Sequence, residues 1–262
     1  METIDLAHRS VSQHNTYVQC PYRYKLEKLD RVWQRPAAWL SQGTAVHAAV
    51  EFWERSERKA SLAEVQDVFR EEYAKSIGEQ AEITPNLDYW FASGPYKGEA
   101  DIERRFGIGL EQCEKLLEWY AKHPEEKIWI TPDGIPAIEL PFEVTLDGVL
   151  VKGYIDAVME TPQGLVVRDL KTGNTPGDTF QLATYAAAMK VMYDVEIRFG
   201  DYLMGKTGKP TLPYDLTDTP PEEVAAAFKY LDEKVKAKDF PANPSSACRF
   251  CSVATSCEFR EG

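Results

Sequence analysis

No stretch of this 262-residue chain stays apolar for the ~20 residues that a helix needs to cross a bilayer, so no membrane span is expected. The opening segment, Met1–Ser10, carries charges where a secretory signal would carry an apolar run, and no export signal is read there. Positive charge is scarce. Thirty Lys and Arg stand against 42 Asp and Glu, a net charge of −12. A protein that coats long duplex nucleic acid draws its affinity from neutralised phosphates, and this surface as a whole cannot work that way. Cysteine is scarce as well, with five in the chain. An odd number without an export signal argues against a disulfide framework and turns attention to metal or cluster ligation. Internal repeats and low-complexity tracts are absent. What remains, 44% hydrophobic and 27% charged, is a globular composition that excludes collagen-like and wholly disordered chains.

The chain divides by pattern. Residues 12–33 read as helix and carry Cys20-Pro21, with Arg23, Lys25, Lys28, Arg31 and Arg35 outnumbering Glu27 and Asp30 over residues 22–35. Tyr22, Tyr24 and Trp33 are interleaved with these cations. The mixture suits single-stranded nucleic acid, which offers phosphates to the charges and bases to the rings. It equally suits a solvated helix whose aromatics pack inward. A second helix is expected from Gln42 to Arg58, where Val46, Ala49, Val50 and Trp53 recur with helical period. Residues 60–125 look helical and charged, interrupted at Thr84-Pro85-Asn86 and at Gly94-Pro95. Ala137–Leu146, Val149–Glu160 and Gly164–Lys171 then read as strands. A helix over Asp178–Tyr193, strands at Glu196–Met204 and Thr211–Leu216, and a helix over Pro221–Lys238 complete an α/β or α+β pattern ahead of a Cys-bearing tail.

Gly200-Asp201-Tyr202-Leu203-Met204-Gly205-Lys206-Thr207 matches the letters of a phosphate-binding loop. Such a loop must open a helix whose amides face the phosphates. Here strand precedes the second glycine and Gly208-Lys209-Pro210 follows it, so a hairpin turn is expected and no ATPase.

Chemistry is concentrated in Gly153-Tyr154-Ile155-Asp156 and Asp169-Leu170-Lys171-Thr172-Gly173. Strand alternation puts Asp169 and Lys171 on one face. A two- or four-residue loop at Pro162-Gln163 pairs residues whose numbers sum to 325 and sets Asp156 opposite Asp169. A three-residue loop with a bulge at Gly164 would turn Asp156 away. In the first register two carboxylates converge on a hard divalent cation such as Mg²⁺ or Mn²⁺, with an ammonium one strand step away. Asp-x-Lys alone is also compatible with a charged pair that closes a sheet end. The cysteines give a second set. Cys248, Cys251 and Cys257 cluster and Cys20 lies far upstream, enough thiolates for a [4Fe–4S] cluster or a tetrahedral zinc. Spacing leaves both open. Cys113, among Leu110, Leu116 and Leu117, reads as a buried apolar residue.

These segments, with Gly43-Thr44-Ala45-Val46-His47 upstream and Gln181-x-x-x-Tyr185 downstream, resemble the PD-(D/E)XK nuclease superfamily. Within it they are most similar to the RecB-like iron–sulfur branch of AddB-type subunits, CRISPR-associated small nucleases and exonuclease V. The resemblance implies a restriction-endonuclease-like α/β core, a central mixed sheet flanked by helices, with an N-terminal helical region and a C-terminal iron–sulfur tail. It implies one nuclease domain over 1–262: a mainly helical region at 1–135, the catalytic sheet and crossover helix at 136–220, and the cluster tail at 221–262. His47, Asp156, Asp169 and the Leu170 carbonyl would hold Mg²⁺ or Mn²⁺, with Lys171 catalytic and Glu143 auxiliary. Gln181 and Tyr185, one turn apart, would contact or orient the DNA, together with Arg23 and Lys25. Cys20, Cys248, Cys251 and Cys257 would hold a [4Fe–4S] cluster. The implied activity is a metal-dependent DNA exonuclease on single-stranded ends in recombination or repair. A CRISPR-adaptation nuclease, or a non-catalytic cluster-bearing DNA-binding protein, is the alternative. A bacterial or phage-encoded cytoplasmic protein is expected, with DNA as substrate, a helicase, annealing protein or integrase as partner, and self-assembly left open.

Overall fold

The computed structural model describes residues 7–260, so the N-terminal stretch read for an export signal lies mostly outside it. None of the described helices is long and apolar enough to cross a membrane. The first expected helix is broken. Helix α1 (Val11–Gln19) starts on the Ser10 side chain, which accepts a hydrogen bond from the Gln13 amide, and stops at Cys20. Cys20 is extended, with φ −162° and ψ 108°. The cause is Pro21, whose ring disfavours helical geometry in the residue before it. Helix α2 (Pro21–Tyr24) restarts on the proline and runs into a π-helical turn, Lys25–Leu29.

Three longer helices follow: α3 (Ala38–Arg55), α4 (Leu62–Ile83) and α5 (Gly98–Lys122). Ser61 and Glu64 form a capping box that sets the start of α4. The sheet comprises β1 (Lys127–Ile128), β2 (Ile138–Leu146), β3 (Val149–Thr161), β4 (Gly164–Lys171), β5 (Phe199–Met204), β6 (Lys209–Pro210) and β7 (Tyr214–Asp215). It is curled and mixed. Strand β3 pairs antiparallel with β1, β2 and β4, while β4 and β5 run parallel across the crossover helix α6 (Thr179–Tyr193). Gly205 to Gly208 turn β5 back into β6, the hairpin expected where the phosphate-loop letters stand. The expected strand at Thr211–Leu216 shrinks to β7, because Pro210 and Pro213 have no N–H to extend a ladder. Helix α7 (Pro221–Lys236) ends the regular structure ahead of the cysteine tail.

Two apolar layers hold the sheet. On one face Ala45, Val46, Ala49, Phe69 and Leu116 of α3–α5 bury Met159, Leu170 and Leu203. On the other, Leu182, Met189 and Phe228 of α6 and α7 bury Val151, Ile155, Val158 and Val167. Cys113 is fully buried in the first layer, as its leucine neighbours suggested, and burial pushes its thiol up to about 12. The chain ends meet where Tyr17 and Tyr24 pack with Leu231 and Val235. Tyr17 also donates to the Asp239 carbonyl at 2.6 Å, and Arg9 pairs with Asp232 at 2.8 Å.

Under the α3–α5 layer lies a buried charge network. Arg168 is 3% exposed and grips Asp201 with two parallel hydrogen bonds of 2.7 and 2.8 Å, while Glu126 takes a third. Removing the cation strands Asp201 in the interior, at a cost of about 3–5 kcal/mol. Arg168→Met should therefore lower the denaturation midpoint markedly, whereas the double variant Arg168→Met/Asp201→Leu should recover most of the loss. Urea melts of the two variants test this.

Candidate metal centre

Two turns set the row on which the site is built. Asp147-Gly148, with φ 44° and 80°, forms a two-residue reversal between β2 and β3 and fixes pairs such as Leu146↔Val149 and Leu140↔Ile155. Pro162-Gln163 reverses β3 into β4 and fixes Thr161↔Gly164 through Ala157↔Arg168. Those partners sum to 325, so the expected register is present and no bulge occurs at Gly164. Extending the β3–β4 register by one residue sets Asp156 opposite Asp169, and the unpaired gap in the β2–β3 ladder, between Ile138↔Ala157 and Leu140↔Ile155, sets Glu139 opposite Asp156.

At this row the sheet opens. The β3–β4 ladder ends at Ala157↔Arg168, and the next amide on β4, that of Leu170, donates instead to the Asp156 carboxylate at 2.9 Å. Alternation slips in both strands of the hairpin: Ala137 and Leu140, and likewise Ile155 and Val158, reach the same core layer. Glu139 sits at φ 44°, a left-handed conformation rare for a side-chain-bearing residue within a strand. Such backbone outliers gather where side chains must be aimed.

Helix α3 supplies the histidine. His47 Nε2 contacts the Leu170 carbonyl at 3.0 Å, and Nδ1 lies 3.5 Å from Asp156 Oδ2 and 3.7 Å from Glu139 Oε1. His47, Glu139 and Asp156 each present a ligand atom within 4.8 Å of the others, a spacing that one cation can bridge. Glu139 escaped the sequence reading, which named Glu143. The signal was present: the Asp147-Gly148 turn places 139 opposite 156. Glu143, four residues along β2, instead pairs with Lys152 at 2.7 Å on the surface.

Asp169 is 2% exposed. Its Oδ1 accepts from Gln181 Nε2 at 2.6 Å and from the Tyr185 hydroxyl at 3.3 Å. Its Oδ2 lies 2.8 Å from Lys171 Nζ but has no aligned hydrogen bond. Lys171 is held in turn by Gln181 Oε1 at 2.9 Å. Gln181 and Tyr185, expected to contact or orient the DNA, both direct their side chains to Asp169. Tyr185 is 4% exposed and holds the carboxylate, because their face of α6 is the one laid on the sheet.

Crowding of like charge sets the proton affinities. Burial, then the charge of Asp169, push Asp156 up to about 7. At His47 burial favours the neutral ring, but contact with Glu139 and the charges of Asp156 and Asp169 outweigh it and raise the imidazole to about 9. Tyr185 is raised well above its ordinary range by burial and by Asp169, which keeps it a neutral donor.

Arg23 and Lys25 are not part of this cluster. Arg23 binds Glu27 at 2.6 Å and Gln19 at 2.6 Å, and Lys25 pairs with Asp30 at 3.3 Å. Arg23 instead borders a pocket of about 400 Å³ lined by Cys20, Cys248, Cys251 and Cys257. All four are free thiols. Backbone amides of Arg23 and Asn243 donate to Cys20 Sγ at 3.5 and 3.4 Å, and that of Ser245 donates to Cys248 Sγ at 3.4 Å.

A curled mixed sheet between helices, with Asp, Asp-x-Lys and a helical histidine at its opening, defines the class. The PD-(D/E)XK nuclease superfamily matches residues 8–258, and the chain belongs to it. That membership implies a metal-dependent nuclease. Over nearly its whole length the chain is similar to two phage proteins, each called Gene 69 protein. That of Mycobacterium phage D29 is 52% identical with 98% of both chains covered, and that of Mycobacterium phage L5 is 50% identical with 95% of both covered. A solved structure, the crystal structure of SSO0001, aligns over 91% of this chain and 94% of its own at 15% identity and a TM-score of 0.36, a likeness too loose to argue from.

A cation at this site competes with protons. Below about pH 7 Asp156 carries a proton, and below about 9 His47 does, so binding must displace them. Mn²⁺ affinity should rise from pH 6 to 9, with proton release visible as a buffer-dependent heat in titration calorimetry. A flat profile would count against the site. Glu139→Ala should weaken Mn²⁺ binding by about 10- to 100-fold, the range typical for loss of a group at a metal site.

Proposed function

We propose that the chain is a DNA exonuclease that hydrolyses phosphodiesters at single-stranded ends, in phage recombination or repair. The observation that carries the reading is the buried Asp169. One oxygen is fixed by Gln181 and Tyr185, and the other has no aligned hydrogen bond and lies 2.8 Å from Lys171 Nζ, while His47, Glu139 and Asp156 form the group that one cation can bridge. Oxygen and imidazole donors of this kind fit Mg²⁺ or Mn²⁺. His47, Asp156, Asp169 and the Leu170 carbonyl would hold the ion, with Glu139 as a further carboxylate. When bound, the cation polarises the phosphate and acidifies a water. The chain's own residues then have separate tasks. Lys171, held by Gln181 and Asp169, directs its ammonium at charge building on the phosphate. Tyr185 and Gln181 keep the Asp169 carboxylate from rotating. The similar proteins of two mycobacteriophages are the reason for setting this reading in a phage.

The cysteine pocket supports a second cofactor. Four thiols from both ends of the chain border one cavity, and backbone amides point at two of the sulfurs. We read this as a [4Fe–4S] site that fastens the tail to α1 and α2. Zinc is the rival with the same ligand count. Protein purified without oxygen should be brown and contain iron and acid-labile sulfide, and a colourless, zinc-loaded protein would reject the assignment.

For the enzyme, an end-labelled single strand should be degraded with Mg²⁺ or Mn²⁺ and preserved with chelator. Asp169→Ala should lower the rate more than about a hundredfold, beyond the loss usual for a supporting residue. Tyr185→Phe should lower it about tenfold. Blocking the 5′ or the 3′ end shows the direction. Unchanged degradation by Asp169→Ala would refute the catalytic assignment, whereas no degradation by the unaltered protein with metal would leave a non-catalytic DNA-binding protein.

A further inference from the structure

A groove begins where the catalytic strand ends. Its space, open to solvent, is about 940 Å³, and its lining includes Thr172, Gly173 and Asn174, the residues directly after Lys171. Trp39 and Leu40 of α3 form one wall, and Phe250 of the cysteine tail borders it as well. Trp39, Gly43 and His47 are spaced i, i+4, i+8 and so follow one face of α3. At 1.5 Å per residue the groove extends about 12 Å from the metal centre along that helix.

Its chemistry contrasts with the rest of the molecule. In a chain of net charge −12, none of the groove's lining residues is a carboxylate. The metal-centre pocket, by comparison, contains Glu51, Glu54, Glu139 and Asp156. Phe250 is 69% exposed. Arg249 beside it is exposed and makes no ion pair among the described residues. Trp39 is braced on Phe91, with ring centroids 5.6 Å apart, and the Arg105 guanidinium lies 5.7 Å from its ring. Arg105 is spent on Ser93, Gln42 and Asp101 and so orients the ring more than it offers charge. A braced Trp39 and an exposed Phe250 beside neutral amides and hydroxyls suit bases and are a poor match for the phosphate-rich face of a duplex.

We infer that this groove holds the single strand next to the scissile bond, with its bases stacked on Trp39 and Phe250. The inference rests on the nuclease reading for the identity of the strand, and it gives the cysteine tail a second task. By carrying Phe250, the tail forms part of the substrate channel.

The test is binding of a fluorescent 20-nucleotide oligothymidylate to the intact protein, measured by anisotropy without divalent cation. Trp39→Ala and Phe250→Ala should each weaken binding by about five- to a hundredfold, the range found for loss of one stacking ring. Phe250→Trp should retain affinity, and Tyr230→Ala, an exposed ring on α7 outside the groove, should change nothing. Blunt duplex should bind equally to all forms. Unchanged oligothymidylate affinity in both alanine variants overturns the inference, as does an equal loss for duplex. Cleavage of the same oligonucleotide with Mn²⁺ separates the two readings. Degradation by the unaltered protein with no binding defect in the variants removes the groove alone. A binding defect without degradation by any form removes the nuclease alone.

Discussion

The hydrogen bond from the Leu170 amide to the Asp156 carboxylate is the constraint on which the site depends. A sheet amide that loses its ladder partner must find another acceptor or remain unsatisfied at a cost of about 1–3 kcal/mol. Here a catalytic-type side chain provides the acceptor. The strands are therefore free to part at Ala157↔Arg168 while the backbone stays satisfied. Parting exposes the Leu170 carbonyl to His47, and it lets carboxylates from two strands approach one another. The opening and the ligand set have one origin.

Holding like charges at that opening requires support from both layers. Asp169 is anchored from α6 by Gln181 and Tyr185, and His47 reaches Asp156 from α3. The buried pair of Arg168 and Asp201 joins β4 to β5 one residue before Asp169. One helix from each covering layer, α3 and α6, thus contributes a contact to the row, and the core and the site share these elements. This accounts for the buried polar groups clustered beneath an otherwise apolar fold: they fix direction where close packing alone would leave a carboxylate free to rotate.

Much of this was legible from residues. Pro162-Gln163 dictated the pairing that brings 156 beside 169, and the i, i+4 spacing of Gln181 and Tyr185 correctly placed them on one helix face. Two features were not legible for a physical reason. Alternation rules assume an even pleat, so they cannot foresee the slip between Ile155 and Val158, where the sheet bends. They likewise cannot foresee Glu139 at φ 44°. Which way the Gln181 face points depends on how α6 lies across the sheet, a tertiary property that local spacing does not contain. The break at Cys20 was different. Pro21 announced it, because a residue before proline leaves the helical region, and the continuous helix read over residues 12–33 overlooked that local rule.

The distribution of charge completes the physical account. A cluster of unneutralised carboxylates repels phosphate, so the acidic row by itself opposes the approach of a polynucleotide, and affinity without the cation must come from surface outside the row. The cation answers this locally by converting a repulsive pocket into an attractive one, so substrate affinity and metal occupancy are coupled through the same side chains. Beyond the reach of that cation, screening weakens the influence of distant carboxylates within about 8–10 Å at ordinary ionic strength. A strand therefore needs a nearby path that bears no carboxylates of its own. The groove bordered by Thr172, Trp39 and Phe250 has that lining. An acidic protein can in this way handle an acidic polymer, with charge concentrated at one point of chemistry and uncharged, aromatic surface along the approach to it.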